Sequence, residues 1–586
     1  MARLRPVFAR DRAAAEKGPA AETAGGGRWA AVRRVLGRTV TPLAAAVVLA
    51  ALLLPNRSTR LAPEAFLRVP VEALVGTALV WALPGRVRRI VAAVGGLLLG
   101  LLVILKILDI GFYAALARPF DPVLDWVAVR DAVDVLGKSI GTGGATAATA
   151  LAALIALAVP ALTALAALRL SGAAARHRRV TASGLGALTA AWIACAVFGA
   201  HLAPGVPVAD RDTAALAYDR ALQARAGFAD HREFAAQAAV DAFRDTPSDR
   251  LLTPLRGKDV IVAFVESYGR DAVEDPEFAP HVDAVLDAGT KALAEAGYAA
   301  RSGWLTSPTA GGGSWLAHST LESGLWIDNQ RRYRELVAGD RLTLNGAFRR
   351  AGWRTVGVMP GVTRDWPEGK FFDFDKVYAA RDMGYAGPPY TLGSMPDQYT
   401  LSAFQRAERS DPGRAPVMAE LPLISSHVPW TPIPRLVDWA EIGDGALYGP
   451  MASQSDPADV IWRDTTRIRT EYRRSIEYSL NTLVSYVRAY GDRELVLVFL
   501  GDHQPAPVVT GEGASRDVPV TIVARDPKVL DRIAGWDWSA GLRPAPDAPV
   551  WRMDAFRDRF LTAFGPQPAA TPPAAPRAKP ADAGGR

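Results

Sequence analysis

The apolar residues of this chain are concentrated in five stretches within its first 205 residues. These stretches lie at about 39–54, 66–83, 90–113, 145–168 and 180–203. A helix that spans a membrane needs about 20 consecutive, mostly apolar residues, and the third, fourth and fifth stretches meet this requirement. The first stretch is short, and the second contains Arg68 and Glu72. The pattern predicts a bundle of about five transmembrane helices over residues 39–204.

Arginine residues flank these spans asymmetrically. Clusters occur before the first span, between the second and third, and between the fourth and fifth: Arg28, Arg33, Arg34 and Arg38; Arg86, Arg88 and Arg89; Arg169, Arg176, Arg178 and Arg179. Five spans place all three clusters on one side of the membrane, and excess positive charge marks that side as cytoplasmic. We therefore expect a multi-pass protein of the cell membrane whose second half lies outside the cytoplasm.

The composition excludes several classes of protein. Only 22% of the 586 residues are charged and the net charge is +7, too low a charge density for a disordered chain or a nucleic-acid binder. Because Cys195 is the single cysteine, an intrachain disulfide framework is excluded. The predicted organisation is a disordered, basic, cytoplasmic N-terminus (1–38), the transmembrane bundle (39–204), linker helices (205–250), a catalytic domain (251–565) and a disordered tail (566–586).

The catalytic domain contains short apolar runs that alternate with helical segments. These runs lie at 258–267, 353–361, 415–427, 493–503 and 518–527. Continuous Val, Ile and Leu runs indicate strands that are covered on both faces, as in parallel sheets. The predicted fold class is therefore α/β with a mostly parallel sheet, in which functional residues lie beyond the carboxyl ends of the strands.

Four side chains that can bind metal end three of these runs. Glu266 ends the first run, and Asp502 and His503 end the fourth; His427 ends the third. A single acidic residue at a strand end is usually a turn or a helix cap. Glu266, Asp502 and His503 together predict a metal site, because carboxylates with an imidazole suit a divalent ion such as Mg²⁺, Mn²⁺ or Zn²⁺.

A glycine-rich loop precedes a helical segment between the first two runs. The sequence is SPTAGGGSWLAHSTLESGLW over 307–326, and Ser314 stands where the helix is expected to begin. Glycines let the backbone approach an anion, and the amides of the helix N-terminus point toward it. Ser314 is therefore a candidate nucleophile, with Thr309 as the alternative. Ser314 could also serve only as a helix cap.

His318 lies four residues after Ser314, on the same face of the predicted helix. That spacing allows His318 to contact the leaving group of a reaction at Ser314. The same spacing is equally compatible with a His318 that packs in the core, or that contacts the site residues without touching the substrate.

These residues resemble the alkaline phosphatase/sulfatase superfamily. The resemblance consists of an acidic residue that ends the first strand, a hydroxyl at a helix start, and a late Gly-Asp-His. Five spans before an external domain are similar to its lipoteichoic-acid synthase branch, over roughly residues 39–565. The resemblance implies that Glu266, Ser314, Asp502 and His503 bind one divalent ion, with Mn²⁺ as the first choice and Mg²⁺, Zn²⁺ or Ca²⁺ as alternatives.

The resemblance also implies a substrate-binding group, although the chain departs from the family in two places. Arg364 and Trp366 match two headgroup-binding residues, and His427 matches a further histidine. The family's histidine after the second strand is replaced by Met359-Pro360, which leaves the glycerophosphate substrate open. The sulfatase signature C/S-x-P-x-R is absent, because Ser314 is followed by Trp-Leu-Ala-His, so conversion to formylglycine is not expected.

The predicted function is that of a membrane-anchored, metal-dependent phosphotransferase or hydrolase. Ser314 would attack a phosphodiester headgroup, and the phospho-enzyme would pass the group to a cell-envelope acceptor or water. The expected partners are a membrane lipid or lipid-linked substrate, and no nucleic acid. One alternative is a sulfatase-like hydrolase of sulfate or phosphate esters. Another is a non-catalytic membrane protein that binds an envelope polymer.

Overall fold

The structure, a computed structural model, describes residues 25–122, 125–203, 206–363, 365–391 and 394–565. The predicted tail 566–586 and the residues before Gly25 lie outside the described residues. The described chain divides into two compact units. One comprises the chain up to Leu54 with Ala62–Ile104 and Ala150–Leu216, and the other comprises Pro55–Leu61, Leu105–Thr149 and the chain from Ala217 onward.

Five helices correspond to the five predicted spans. They are α1 (Gly25–Leu53), α2 (Val71–Ala82), α3 (Gly85–Leu116), α4 (Trp126–Arg176) and α5 (Arg178–Phe198). Among the described residues, three helices are long and apolar enough to cross a membrane: α3, the part of α4 from Gly141 onward, and α5. The backbone of α4 leaves helical geometry at Gly141, so the membrane-crossing part begins there.

Two boundaries differ from the prediction. Residues 25–38 were expected to be disordered, but α1 begins at Gly25 and includes them. The second span was expected over 66–83, but α2 has only 12 residues. At 1.5 Å per residue, α2 is about 18 Å long, which is less than the roughly 30 Å of a hydrocarbon core. The prolines on either side of α2, Pro70 and Pro84, explain why the helix is short.

Two glycines of α3 allow close packing against α4. A Cβ on Gly100 would lie 2.4 Å from the Cα of Pro160, and one on Gly96 would lie 2.7 Å from the Cα of Ala164. These distances are too short for any side chain, so only glycine permits the approach. Small residues four positions apart are a common means by which helices pack closely in membranes.

Short strands and one long helix connect the apolar helices to the catalytic domain. They are β1 (Val69–Pro70), β2 (His201–Ala203), β3 (Val206–Pro207), β4 (Ala209–Asp210) and α6 (Asp212–Ala239). β1 pairs in parallel with β4. The linker 205–250 was predicted to be helical, and α6 occupies most of that segment.

The catalytic domain is built on a sheet that has nine strands within the described residues. The strands are β5 (Asp259–Val265), β6 (Ala299–Thr306), β7 (Arg354–Met359), β8 (Lys376–Ala379), β9 (Val417–Leu423), β10 (Leu495–Gly501), β11 (Asp517–Ala524), β12 (Ser539–Ala540) and β13 (Val550–Arg552). Their order is β12-β6-β11-β10-β5-β9-β7-β8, with β13 paired to β6. The run from β10 to β8 is parallel, whereas β11 is antiparallel to β10 and to β6. The predicted α/β class with a mostly parallel sheet is confirmed.

All five predicted strands are present, as β5, β7, β9, β10 and β11. Four further strands, β6, β8, β12 and β13, were not predicted. β6 has the sequence AARSGWLT, in which Arg301, Ser302 and Gly303 interrupt the apolar run that would mark a buried strand. β12 and β13 have only two and three residues, too few to show a periodicity.

Helices cover both faces of this sheet. They are α7 (Asp271–Glu274), α8 (Ala279–Glu295), α9 (Ser314–Ser323), α10 (Gln330–Val337), α11 (Leu344–Arg350), α12 (Asp397–Phe404), α13 (Gly449–Ser453), α14 (Ala458–Ile461), α15 (Thr465–Tyr490), α16 (Pro507–Thr510), α17 (Pro527–Asp531) and α18 (Ala555–Ala563). Side chains of β5 alternate between two apolar clusters, with Ile261 and Ala263 in one and Val262 and Phe264 in the other. Burial on both faces is the reason that the run over β5 is continuously apolar.

Candidate active site

The predicted metal-binding residues meet at the carboxyl ends of two neighbouring strands. Glu266 follows β5, and Asp502 and His503 follow β10. The two strands are parallel, with Val265 opposite Gly501, so their next residues lie side by side. One ligand atom from each of the three side chains lies within 4.8 Å of the others, and all three residues are buried. The structure therefore brings together side chains that are 237 positions apart in sequence, from 266 to 503.

Hydrogen bonds fix the orientation of the carboxylate and the imidazole. Asp502 Oδ1 accepts from the backbone amides of Ser267 (2.8 Å) and His503 (2.7 Å). His503 Nδ1 lies 2.8 Å from the carbonyl oxygen of Gln504, to which it donates its proton. This bond leaves Nε2 with a free lone pair, which is the form of histidine that binds metals. His503 Nε2 lies 3.4 Å from Glu266 Oε1.

Ser314 joins this cluster as the first residue of α9. Its hydroxyl donates to Glu266 Oε2 at 2.9 Å and lies 3.2 Å from His503 Nε2. The N-cap of α9 is Gly313, not Ser314. The hydroxyl of Ser314 therefore points to the predicted metal ligands and does not serve as a cap of its own helix.

The glycine loop needs its glycines for this arrangement. Gly311, Gly312 and Gly313 have φ values of +74°, +152° and +80°, which strongly favour glycine. A Cβ on Gly311 would also lie 2.1 Å from the carbonyl oxygen of Ala115. Thr309, the alternative nucleophile, donates its hydroxyl proton to the carbonyl of Gly312 at 2.6 Å. Thr309 thus stabilises the loop that presents Ser314.

The electrostatics of the two carboxyl groups favour a bound cation. Burial raises the pKa of Glu266, but the nearby imidazoles of His427 and His503, together with hydrogen bonds to Asp502 and Ser267, lower it overall to about 2. Burial also raises the pKa of Asp502, and the neighbouring charge of Glu266 raises it further, to well above its usual value. A divalent ion between the two groups would relieve their repulsion. Two carboxylates, an imidazole lone pair and a hydroxyl form a donor set that fits such an ion.

Two of the predicted substrate-binding residues can be located. His427 is half-buried in the loop after β9, with Nδ1 2.5 Å from the carbonyl of Val428. Trp366 packs in an aromatic cluster, 5.4 Å from the ring of Phe372 and 6.5 Å from that of Phe374. Arg364 lies outside the described residues. Substrate binding by His427 and Trp366 stays a prediction.

His318 is directed toward the interior of the domain. Its ring stacks on Phe264, with centroids 3.8 Å apart, and Nδ1 lies 3.3 Å from Glu420 Oε1. Glu420 is buried in the middle of β9 and was not predicted as a functional residue. A carboxylate within the apolar run VMAELPL was the available signal, because ionised side chains are rarely buried without a partner.

The sequence analysis also missed the serines that support the site. Ser267 Oγ donates to Glu266 Oε1 at 2.9 Å. Ser307 Oγ donates to the carbonyl of Asp502, and Ser426 Oγ donates to the carbonyl of Glu266, both at 2.6 Å. Serines in loops are too common for their positions alone to indicate such contacts.

Comparisons with known proteins give matches among solved structures. No protein-family model matches the chain, and no curated protein matches it. One similar structure is the lipoteichoic acid synthase LtaP from Listeria monocytogenes, with 14% identity over 58% of this chain and 78% of that chain and a TM-score of 0.36. Another is the phosphoglycerol transferase GacH from Streptococcus pyogenes in complex with sn-glycerol-1-phosphate, with 12% identity over 57% and 90% of the two chains and a TM-score of 0.34.

A third similar structure includes a membrane part. It is the integral membrane lipooligosaccharide phosphoethanolamine transferase A (EptA) from Neisseria meningitidis, with 14% identity over 86% of this chain and 87% of that chain and a TM-score of 0.41.

Proposed function

We propose that this chain is a membrane-anchored, divalent-metal-dependent phosphotransferase or hydrolase that acts outside the cytoplasm on a phosphodiester headgroup. The observation that carries the proposal is the position of the Ser314 hydroxyl, 2.9 Å from Glu266 and 3.2 Å from His503. A hydroxyl at a helix N-terminus, within a cluster that fits a divalent ion, is placed to act as a nucleophile toward an anionic centre.

A divalent ion held by Glu266, Ser314, Asp502 and His503 would promote ionisation of the hydroxyl and stabilise negative charge on the phosphoryl oxygens. The chain itself orients the nucleophile. Glu266 Oε2 accepts the hydroxyl proton of Ser314, and this bond leaves the oxygen lone pairs free for attack. The glycine loop and the first amides of α9 can donate to the phosphoryl oxygens as charge develops.

The reaction then has two balanced steps. In the first, Ser314 gives up its proton to solvent, the bond between Ser314 Oγ and phosphorus forms while the bond from phosphorus to the lipid alcohol breaks, and the alcohol leaves with a proton. We assign the donation of that proton to His427, which lies in the loop after β9, the strand next to β5. In the second, an acceptor hydroxyl or water gives its proton to His427 and attacks phosphorus, the bond from phosphorus to Ser314 Oγ breaks, and Ser314 regains a proton from solvent.

The position of the glycine loop favours a membrane lipid as donor. Gly311 lies so close to Ala115 that a Cβ would meet its carbonyl oxygen, and one on Gly312 would lie 3.0 Å from the side chain of Leu116. Leu116 is the last residue of α3, a helix long and apolar enough to cross a membrane. A site next to the end of such a helix can receive a lipid headgroup while the acyl chains stay in the bilayer.

The test uses the full chain in vesicles that contain fluorescent phosphatidylglycerol or phosphatidylethanolamine. We expect release of fluorescent diacylglycerol from at least one of the two lipids. Chelation should abolish the release, and a divalent ion should restore it. A chromogenic sulfate ester serves as the control for a sulfatase. Hydrolysis of the sulfate ester without release of diacylglycerol would contradict the proposal, and so would activity that withstands complete removal of metal.

A further inference from the structure

A buried polar cluster lies beneath the proposed metal site and has no role in the mechanism above. It comprises His318, Glu322, Asn345 and Glu420. Glu322, Asn345 and Glu420 are at most 2% exposed. Asn345 Nδ2 donates to Glu420 Oε2 at 3.0 Å, and His318 Nδ1 lies 3.3 Å from Glu420 Oε1. Both oxygens of Glu420 are thus engaged, one by an amide and one by an imidazole.

The register of the sheet places His318 between Glu420 and the metal-binding edge. Glu420 on β9 pairs with Val262 on β5. Alternate side chains of a strand share a face, so Val262, Phe264 and Glu266 follow one another at intervals of about 6.6 Å. The ring of His318 stacks on Phe264, the middle residue of these three. The ring of His318 therefore lies at the level of Phe264, between the level of Glu420 and the level of Glu266 along the strand.

The second ring nitrogen of His318 is available on the side of the metal-binding edge. Nδ1 is directed to Glu420, and Nε2 is buried without a hydrogen-bond partner among the described residues. The two nitrogens of an imidazole lie on opposite sides of the ring, and Nδ1 is directed to Glu420, which pairs with Val262. Nε2 is therefore directed along the row toward Glu266.

Packing alone does not account for this pair. A buried ion pair often contributes no more stability than apolar side chains of similar volume, because the desolvation of both groups must be offset. Apart from Glu322 and Asn345, the surroundings include the apolar side chains of Phe264, Ala317 and Leu321. An apolar pair would hold α9 on the sheet equally well, so the polar pair needs another explanation.

We propose that His318 and Glu420 are positioning residues for the metal-binding edge. Glu420 holds the imidazole of His318 in place, and Nε2 of His318 supports the carboxylates of the metal-binding edge through one water. The inference rests on the proposed function only in taking Glu266 and Asp502 as metal ligands. Carboxylate–histidine pairs behind metal ligands commonly set the orientation of the ligand and the affinity for the metal.

The test measures the affinity of the full chain for Mn²⁺ by competition with a chelating dye. His318→Leu replaces the imidazole by an apolar side chain of similar size and should lower the affinity about 10- to 100-fold, the usual effect of such supporting residues. Glu420→Gln should lower it in the same direction, and it provides the test if His318→Leu does not fold. The double variant should lose no more affinity than His318→Leu alone, because Glu420 acts through His318.

Leu321→Ala is the matched control. Leu321 lies three residues after His318 on α9 and is fully buried, so its truncation should lower the unfolding temperature while the folded protein keeps its affinity for Mn²⁺. Wild-type affinity in folded His318→Leu, or additive losses in the double variant, would overturn the inference. A wild type that binds no divalent ion would overturn it together with the proposed function. A wild type that binds Mn²⁺ but transfers no headgroup would overturn the proposed function alone.

Discussion

At the scale of single residues, the roles of Ser314 and Thr309 are separable. Ser314→Ala removes the proposed nucleophile and should lower turnover of a chromogenic phosphodiester by at least about 10³-fold, with normal folding. Ser314→Thr should retain part of the activity, because threonine supplies the same hydroxyl. Thr309→Ala removes only the bond to the carbonyl of Gly312 and should cost far less activity. Mass spectrometry should find phosphate on Ser314 in trapped wild-type protein. An active Ser314→Ala variant beside an inactive Thr309→Ala variant would assign the nucleophile to Thr309.

Asp502 offers a test of the metal site itself. Asp502→Ala removes one of the two carboxylates, and it also removes the acceptor for the amides of Ser267 and His503. Elemental analysis should find about one divalent ion per chain in the wild type and none in the variant, while circular dichroism stays unchanged. Equal metal content in both proteins would show that Asp502 is not a ligand.

Asp397 should make stability depend on pH. Its side chain is fully buried, accepts from the amide of Ser425 at 2.9 Å and from Ser479 at 2.6 Å, and anchors the loop that contains His427. Burial raises the pKa of Asp397 to about 6. A raised pKa means that the protonated form is favoured by folding. The stabilisation is therefore complete below about pH 4, the usual pKa of aspartate, and is lost as the pH rises through about 6.

The matched variant is Asp397→Asn, which stays neutral at every pH. Relative to the wild type, its free energy of unfolding should increase by about 2–3 kcal/mol between pH 4 and pH 7, from the size of the pKa shift. Urea denaturation of both proteins over this range measures the difference. Parallel stability curves for the two proteins would show that Asp397 does not titrate in this way.

At the scale of elements, the glycine loop before α9 decides where the nucleophile lies. Gly311→Ala places a Cβ 2.1 Å from the carbonyl oxygen of Ala115, at a φ of +74°. The loop must move, and activity should fall by at least about tenfold, since a misplacement of 1 Å can cost about 10²-fold. Gly511→Ala is the control: its φ is +78°, but nothing lies within 4 Å of its Cβ. Backbone strain at a positive φ, on the order of 1–3 kcal/mol, adds to both variants. Equal activity in the two variants would show that the clash has no effect.

At the scale of the whole molecule, the number of membrane crossings can be tested at one loop. Residues 55–61 follow α1, and within this segment Thr59 donates to Glu512 of the catalytic domain at 2.7 Å while Arg57 lies 3.4 Å from the same carboxylate. The loop therefore belongs on the same side of the membrane as the catalytic domain. That location agrees with five crossings, in which α1 crosses outward, whereas crossing by α3, α4 and α5 alone would leave the loop in the cytoplasm.

A reporter enzyme that is active only outside the cytoplasm distinguishes these topologies. We expect activity for fusions after residue 60 and after residue 565, and none for a fusion after residue 84, beside the arginine cluster at the start of α3. Activity after 565 but not after 60 would indicate three crossings. An inactive fusion after 565 would place the catalytic domain in the cytoplasm and contradict the external enzyme.

Much of the architecture was predictable because it depends on local patterns. Long apolar stretches predicted the helices α3, α4 and α5, and continuous apolar runs predicted β5, β7, β9, β10 and β11. The failures also have local causes. β6 contains Arg301 and Ser302 within its run, and the prolines that flank α2 make this helix shorter than the predicted stretch 66–83. His318 could not be placed from its spacing to Ser314, because both orientations fit the same helix.

The sequence by itself determined that the chain has an N-terminal part with long apolar helices and an α/β part, and it indicated which carboxylates and imidazoles end the buried strands. These properties follow from the burial of each segment by itself, because a buried helix or strand requires apolar residues at characteristic positions in its sequence. Only the tertiary structure decided that β5 lies between β9 and β10, and therefore that Glu266, Ser314, Asp502 and His503 meet. It also decided that Glu420 lies beneath His318. Strand order depends on pairings between segments hundreds of residues apart, and such pairings leave no periodic trace in a single sequence.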